Sequence, residues 1–332
     1  MPEPTDIRHL DRCPSDLRAT AGGYSRQSRR KLFGGEAVDP VLAIELPGEA
    51  GDASAPIAQL GRLSLSGVQE KYALTQDGRT LHLTGPDEAS THILKPIVTD
   101  AAVERAGWMP ANEHLTMQLA AQVFGIRTAA NGLVFLPNGS PAYLTRRFDR
   151  RDDGAKWAVE DFAALAGRTP ATHGEDYKYA GSYLDLFAVL RRYVGAYVIE
   201  AGKLFELLVF NYLVGNGDAH FRNFSLMETP GGGYVLAPAY DLLCTGLHVD
   251  DTPFALSEGL LPTDRGGGPI QHQFRTLAAE VGLPPKPVER ILERVPDYTE
   301  AVEALAARSF LPEQARRQYV RRYRKRLGRF QK

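Results

Sequence analysis

The chain has few of the features that mark exported, metal-binding or membrane proteins. Only two cysteines occur in 332 residues, Cys13 and Cys244, and they belong to no metal-ligand spacing. No apolar run reaches the roughly 18 residues of a membrane-spanning helix, and residues 1–6 lack a signal-peptide pattern. We therefore expect a protein of the reducing cytoplasm that is neither exported nor membrane-spanning.

An excess of charge of one sign is also lacking. The formal net charge is -1, whereas non-specific affinity for nucleic-acid phosphates needs a clear basic excess. The sequence therefore argues against a general nucleic-acid binder. What is present is the composition of an ordinary soluble globular protein, with 43% hydrophobic and 24% charged residues. A chain of 332 residues predicts two domains, or two lobes of one enzyme.

The pattern of the chain changes about halfway along it. Residues 1–60 are irregular and predict a partly extended segment that packs on the first lobe. Several short strand-like runs follow up to residue 150, whereas the apolar spacing from residue 160 onward is helical. These runs predict an α+β fold, with a β-rich N-terminal lobe over residues 61–150 and a mainly helical C-terminal lobe over residues 151–332.

The main chemical signal follows a buried, apolar helix predicted at residues 204–214. Gly215 ends this helix, so the polar residues after it lie in a loop on a rigid support. In that loop Asp218 precedes Asn223, and Asp241 comes later in the chain. Protein-kinase sites use this order for a catalytic Asp and then for an Asn and an Asp that bind magnesium. We assign these roles to the three residues; the alternative is that they cap ordinary turns.

The first lobe contains candidate phosphate-binding residues. A strand, a small-residue turn at Gly67 and a second strand are predicted over residues 63–74, and exposed N–H groups in such a turn suit phosphates. Lys95 ends an apolar strand, from which its ammonium can reach the α and β phosphates of a nucleotide. The alternatives are an ordinary hairpin and a solvated lysine at a strand end.

A helix is predicted at residues 111–124, with Asn112 as its N-cap. Glu113 would then lie in the first turn of this helix. There it either pairs with Lys95, as the equivalent carboxylate does in kinases, or is an acid favoured by the helix dipole.

Two strands are predicted at residues 132–136 and 142–150, and the second leads from the β-rich half into the helical one, where an adenine could lie. The polar stretch 172–179 predicts a surface loop. Helices are predicted at residues 160–166, 182–193, 271–282, 286–293, 297–308 and 312–327. We interpret the basic face of the last helix as solvated rather than as a nucleic-acid contact.

Together these motifs resemble those of HipA-family serine/threonine kinases, the toxin components of bacterial toxin–antitoxin modules. The matching segments occur in the family's order and cover about residues 60–245. They are SLSGVQEK at 64–71, ILKP at 93–96, NEH at 112–114, RFDR at 147–150, NGDAHFRNF at 216–224 and PAYD at 238–241. The resemblance implies a two-lobed, protein-kinase-like α+β fold.

The resemblance also implies a site for ATP and Mg²⁺. It places the nucleotide phosphates at residues 66–71, the adenine at residues 146–148 and the ribose near Asp149 and His220. Asp218 becomes the catalytic base. The implied ATP-binding residues are Ser66, Gly67, Val68, Gln69, Glu70, Lys71, Lys95, Arg146, Arg147, Phe148, Asp149, His220, Phe221, Arg222, Asn223, Tyr240 and Asp241, with Asn223 and Asp241 on magnesium and Glu113 in support.

The substrate and partners expected from the resemblance are proteins. The implied substrate is a serine of an aminoacyl-tRNA synthetase, whose modification would arrest growth, and the implied sites of self-phosphorylation are Ser64 and Ser66. Only about 60 residues precede the phosphate loop, which indicates the short, HipT-like form. Its expected partners are a helix-turn-helix antitoxin, through which alone it would meet DNA, and a small protein similar to the missing N-terminal subdomain. The alternative is a catalytically idle scaffold or co-repressor that acts through an antitoxin.

Overall fold

A computed structural model describes residues 10–46, 69–100, 103–151, 153–250 and 252–332. Its N-terminal strands are β1 (Tyr72–Asp77), β2 (Thr80–Leu83), β3 (His92–Lys95), β4 (Asn131–Phe135) and β5 (Pro141–Arg146). Within the described ranges these strands form one antiparallel sheet in the order β2-β1-β3-β5-β4. The strand predicted to end at Lys95 is confirmed.

The two faces of this sheet pack against different helices. Alternate side chains along a strand point to opposite faces, so Tyr143 and Leu144 of β5 join different hydrophobic clusters. Leu144 packs with the residues of helix α1 (Arg26–Phe33), whereas Tyr143 packs with those of helix α2 (Met109–Gln122). The first lobe is therefore a sheet between two helices.

Helix α1 corrects the prediction that residues 1–60 are irregular. Ser25 caps the helix by accepting a hydrogen bond of 3.1 Å from the Ser28 backbone N–H, and Gly34 ends it in the left-handed region at φ 66°. Leu32 and Phe33 are buried against the sheet. Only these two large apolar residues occur in the helix, so the apolar spacing was too sparse to predict it.

Helix α2 begins at Met109, two residues before the predicted start. Asn112 is its fourth residue, so the prediction that Asn112 is the N-cap is wrong. Its buried side chain instead binds the backbone of Cys244 twice: Nδ2 donates to the carbonyl at 3.0 Å, and Oδ1 accepts from the N–H at 3.1 Å. Asn112 therefore joins the first lobe to the chain that follows the predicted catalytic loop.

A second, smaller sheet in the second half was not predicted. In the described residues it contains β6 (Val159–Asp161), β7 (Ser225–Glu228) and β8 (Tyr234–Leu236) in that order. The helix predicted at residues 160–166 is therefore only α3 (Phe162–Leu165), with Asp161 as its N-cap. The pairing of β6 with β7 over a long sequence separation outweighs the local helical pattern.

Helices make up most of the second half, as predicted. The remaining helices are α4 (Pro170–His173), α5 (Leu184–Tyr193), α6 (Tyr197–Val214), α7 (Ile270–Glu280), α8 (Pro285–Arg294), α9 (Thr299–Ala307) and α10 (Glu313–Phe330). Helix α6 has buried residues along most of its length, and the predicted catalytic loop follows its end at Gly215. None of the helices in the described ranges is long and apolar enough to cross a membrane.

Candidate active site

The loop after α6 is held by hydrogen bonds of its own polar residues. Gly215 ends the helix in the left-handed region at φ 71°, a conformation that favours glycine. The Asp218 N–H then donates to Asn216 Oδ1 at 3.3 Å, and Asn216 Nδ2 donates to Asn211 Oδ1 of α6 at 3.0 Å. The Thr245 hydroxyl oxygen accepts from the Gly217 N–H at 2.8 Å. The position of Asp218 is thus tied to the buried helix.

Asn223 and Asp241 meet although they are far apart in sequence. The His220 N–H donates to Asn223 Oδ1 at 3.1 Å, which fixes the amide. Asn223 Nδ2 in turn donates to Asp241 Oδ2 at 3.4 Å. Asp241 itself has φ 54°, a strained conformation for a residue with a side chain. The structure therefore brings together the two predicted metal ligands.

Lys95 lies between two carboxylates at the back of the same cleft. Its Nζ is 2.6 Å from Glu113 Oε1, and it also contacts Asp241 Oδ1. Lys71 Nζ is 3.6 Å from Asp241 Oδ2. Lys95 is buried, so it is not a solvated strand end. Glu113 is the fifth residue of α2 and pairs with Lys95, so it is not a first-turn acid.

The charges in this cluster support one another. Burial alone would lower the pKa of Lys95, but Asp241 and Glu113 outweigh burial and raise it. Burial opposes ionisation of Asp241, yet Lys95 and Lys71 hold its pKa below the usual range. Burial raises the pKa of Glu113, and Lys95 offsets only part of this effect. The two lysines therefore keep Asp241 ionised at neutral pH, as a metal ligand requires.

Tyr179 contacts the candidate base, and the sequence analysis missed it. The stretch 172–179 was predicted to be a surface loop, but the structure places its first two residues in helix α4 and buries Tyr179. The Tyr179 hydroxyl donates to Asp218 Oδ1 at 2.6 Å, and its ring lies edge-on to the ring of His220 at 5.1 Å. The signal that could have revealed it is a pair of tyrosines, Tyr177 and Tyr179, in an otherwise polar stretch.

The predicted phosphate loop is described only in part. Ser64, Ser66, Gly67 and Val68 lie outside the described residues. Gln69 is buried and donates from Nε2 to the Pro96 carbonyl at 3.3 Å.

Glu70 and Lys71 follow Gln69 in the same loop. Glu70 is exposed and accepts a bond of 2.7 Å from the Tyr72 hydroxyl. Of the two side chains, Lys71 is the one that approaches the carboxylate cluster, through Asp241.

The residues predicted to bind adenine and ribose lie where β5 leaves the sheet. Arg147 binds Asp149 through two hydrogen bonds, of 2.9 and 2.6 Å. The Phe148 ring stacks with that of Tyr240 at 5.9 Å, next to Asp241. Arg146 differs, because its side chain reaches the Lys31 carbonyl of α1 at 3.4 Å. Phe148 therefore faces Tyr240, the neighbour of Asp241, whereas Arg146 points toward α1.

Two of the predicted loop residues have supporting positions. Phe221 is fully buried beneath the Arg168 guanidinium, 3.8 Å from its ring centroid, so its side chain supports the loop from inside the core. Arg222 lies 3.5 Å from Asp161 Oδ2 with its side chain half-exposed, and its carbonyl accepts a bond from the Tyr240 hydroxyl.

The oxygen donors fit magnesium. An amide oxygen and a carboxylate, such as those of Asn223 and Asp241, are hard ligands, and Mg²⁺ is usually bound by one or two carboxylates together with substrate phosphates. In the part of the chain that the structure describes, no group of three or more His, Cys, Asp or Glu side chains could hold a metal. A magnesium ion at this site would therefore take its remaining ligands from nucleotide phosphates and water.

Comparisons with known proteins agree with this geometry. The family model for the HipA-like C-terminal domain matches residues 63–303. The protein named "Putative kinase Y4mE" of Sinorhizobium fredii is 34% identical over 264 residues, which is 74% of this chain and 56% of that protein. The serine/threonine-protein kinase toxin HipA of Shewanella oneidensis is 28% identical over 204 residues, which is 57% of this chain and 45% of that protein. The chain thus spans about half the length of these two relatives.

A solved structure has the same fold. The HipA chain in the complex of HipA, HipB and operator DNA from Shewanella oneidensis matches with a TM-score of 0.61 and 23% identity. The match covers 86% of this chain and 67% of that one. The α+β, kinase-like fold predicted from the sequence is therefore confirmed.

Proposed function

The chain belongs to the HipA-like C-terminal domain family, and on this premise we propose that it is a protein kinase that transfers the γ-phosphoryl group of ATP to a serine or threonine. One observation carries the proposal: residues from both lobes converge on one cleft. Its lining residues are Gln69, Lys95, Met109, Glu113, Asp218, Asn223, Asp241 and Leu243. A cleft with lysines, a candidate base and magnesium ligands has the parts that phosphoryl transfer requires.

Asp218 acts as the base in the proposed reaction. The oxygen of the acceptor hydroxyl forms a bond to the γ-phosphorus, the bond from that phosphorus to the β–γ bridging oxygen breaks, and ADP leaves with the electron pair. The hydroxyl proton passes to the Asp218 carboxylate, whose orientation is set by the Tyr179 hydroxyl at 2.6 Å. A carboxylate held in one orientation also positions the acceptor hydroxyl for attack, and this positioning contributes to the rate enhancement.

Cations in the first lobe bind the nucleotide phosphates. Lys95 is fixed by Glu113, so its ammonium is held at a defined place in the cleft. Lys71 contributes a second charge from the end of the phosphate loop. Magnesium bound by Asn223 and Asp241 would neutralise charge on the phosphates. The stacked rings of Phe148 and Tyr240 offer an apolar surface near the place proposed for the adenine, with Asp149 and His220 for the ribose.

The substrate and the partners are proposed from the family. The related HipA of Shewanella oneidensis is a serine/threonine-protein kinase toxin and was solved with HipB and operator DNA. We infer that this chain phosphorylates an aminoacyl-tRNA synthetase in the cytoplasm and thereby arrests growth. We also infer that it is neutralised by a helix-turn-helix antitoxin together with a small protein similar to a HipA N-terminal subdomain.

Ser64 and Ser66 are proposed sites of self-phosphorylation. A phosphate adds roughly -1.5 to -2 charge, which beside an ATP triphosphate would repel the nucleotide and switch the enzyme off. We expect purified protein incubated with ATP and magnesium to carry phosphate on one or both serines, and the Asp218→Asn form to carry none. Mass spectrometry of the peptide decides the point, since an unmodified loop in an enzyme that still phosphorylates its target would refute self-inhibition.

The kinase proposal is tested with radiolabelled ATP. The wild-type chain and the Asp218→Asn control are incubated with a cell lysate and magnesium, and labelled proteins are identified by mass spectrometry. We expect wild-type protein to label a small set of targets and the control to label none. Wild-type protein that binds its antitoxin but transfers no label would favour the alternative, an idle scaffold or co-repressor.

Growth provides an independent readout of the same proposal. Expression of the wild-type chain without its partners should arrest bacterial growth, and Asp218→Asn should relieve the arrest. Equal toxicity of the two forms would show that toxicity does not depend on phosphoryl transfer.

A further inference from the structure

Phosphoryl transfer needs positive charge at the γ-phosphate, and the catalytic loop supplies little of it. Between Asp218 and Asn223 the one basic residue apart from His220 is Arg222. Its guanidinium is directed to Asp161, at 3.5 Å. A cation near the candidate base must therefore come from another segment.

Lys178 belongs to a segment that is bound to the catalytic loop. Its carbonyl accepts a hydrogen bond of 3.1 Å from the Phe221 N–H of that loop. The next residue, Tyr179, donates its hydroxyl to Asp218 at 2.6 Å and accepts a backbone bond of 2.9 Å from Ser257. The backbone on both sides of the Lys178 side chain is thus fixed relative to Asp218.

The ammonium group of Lys178 lies over the ring of Tyr179. Its Nζ is 5.1 Å from the centroid of the Tyr179 ring, the ring whose hydroxyl binds Asp218. Within the described ranges Lys178 Nζ contacts this ring but makes neither a hydrogen bond nor an ion pair within 4.0 Å, although the residue is half-buried. Burial lowers the pKa of Lys178, and the Asp218 charge acts in the opposite direction.

A half-buried lysine whose ammonium has no ion-pair partner among the described residues is unusual, because buried charges are normally paired. The charges that act on Lys178 include two further cations, Lys71 and Arg222, and, besides Asp218, the carboxylate of Asp176. Arg222 is directed to Asp161, so Lys178 and Lys71 are the cations here that favour an anion with several negative oxygens. A terminal phosphate placed for attack by an acceptor held at Asp218 has this chemistry.

We propose that Lys178 binds the γ-phosphate of ATP and stabilises its charge during transfer, with Tyr179 as the residue that positions both Lys178 and Asp218. This inference rests on the proposed kinase function. Lysine suits the role because it binds phosphate as a mobile point charge. Since the γ-phosphate is absent from ADP, the contact with Lys178 distinguishes ATP from ADP.

Nucleotide binding tests the inference without any turnover. Titration calorimetry in the presence of magnesium compares a non-hydrolysable ATP analogue with ADP on the whole chain. We expect Lys178→Met to raise the Kd of the ATP analogue about 10-fold and to change the Kd of ADP by less than about twofold, while Lys178→Arg falls between. The matched control is Lys286→Met, the same substitution at an exposed lysine of α8.

The outcomes separate this inference from the kinase proposal. Lys178→Met that weakens both nucleotides equally, or neither, would overturn the role of Lys178 while leaving the kinase proposal in place. Wild-type protein that binds neither nucleotide would overturn the kinase proposal and the inference with it. Thermal unfolding of each variant near the wild-type temperature shows that any loss of binding is local.

Discussion

Replacement of Lys95 by methionine isolates the charge at the centre of the cleft. Methionine has a similar length but no ammonium, so Glu113 and Asp241 lose their shared partner. The side chains of Lys95 and Glu113 are only 6% and 4% exposed, and removal of one partner of a buried ion pair costs roughly 3–5 kcal/mol. Lys71 remains 3.6 Å from Asp241 and compensates in part. We therefore expect a loss of about 3 kcal/mol in the free energy of unfolding.

The assay is urea unfolding followed by circular dichroism, on wild type, Lys95→Met, Glu113→Gln and the double variant. The double variant lacks both the ammonium and the carboxylate that would be left unpaired. It should therefore be more stable than the sum of the single effects predicts, by at least about 1 kcal/mol. All variants that lack Lys95 should lose phosphoryl transfer, because the phosphates lose their fixed cation.

The pH dependence gives a second check on the same variant. Burial already raises the pKa of Glu113, and removal of Lys95 raises it further, because Lys95 is the charge that lowers it. A carboxyl with a raised folded pKa stabilises the protein at low pH and loses that contribution as pH rises through the folded value. The deficit of Lys95→Met should thus shrink as the pH falls from about 8 to about 5. A deficit below about 0.5 kcal/mol, or additive single variants, would refute the reasoning.

Three other substitutions test the proposed roles of Asp218, Tyr179 and Asp241. Asp218→Asn should reduce transfer by about 10²–10⁴-fold without changing thermal unfolding; a folded variant with wild-type rates would exclude Asp218 as the base. Tyr179→Phe keeps the ring but removes the hydroxyl, so kcat should fall about 10-fold with the KM for ATP nearly unchanged; a change in KM alone would contradict a positioning role. Asp241→Asn should abolish transfer. The pKa of Asp241 is lowered in the folded protein, so the stabilisation from its charge is present above its unfolded pKa of 3.8 and is lost as the pH falls toward the folded pKa. The variant lacks this titration, so its urea midpoint should decline less steeply below about pH 4. An unchanged decline would count against the ion pair.

Local features of the chain were enough to predict the framework. A short strand, an amphipathic helix and a glycine-terminated buried helix each leave a pattern within a few neighbouring residues. The strand that ends at Lys95, the four C-terminal helices and the loop after α6 were predicted on this basis. The order of Asp218, Asn223 and Asp241 was enough to predict phosphoryl transfer, because the spacing of a sequence motif is visible without knowledge of the fold.

Other features depend on contacts between distant segments, and these the sequence did not reveal. Val159–Asp161 forms a strand only because β7 lies beside it. Asn112 caps no helix, because the backbone of Cys244 takes both of its polar atoms. In both cases contacts with residues far away in the sequence outweigh the local conformational preference of the segment.

The candidate active site shows the same difference between local and long-range information. Sequence spacing named Lys95 and Glu113 but left open whether they meet, and only the packing of α2 on the sheet decided that they do. Tyr179 has no local signature of function, because an aromatic residue in a polar loop is as compatible with solvent as with a site. It was the fold of the segment across the catalytic loop that buried its ring and placed its hydroxyl on Asp218. The sequence by itself determined which residues carry charge and in what order, whereas the tertiary structure decided which of those charges share a site.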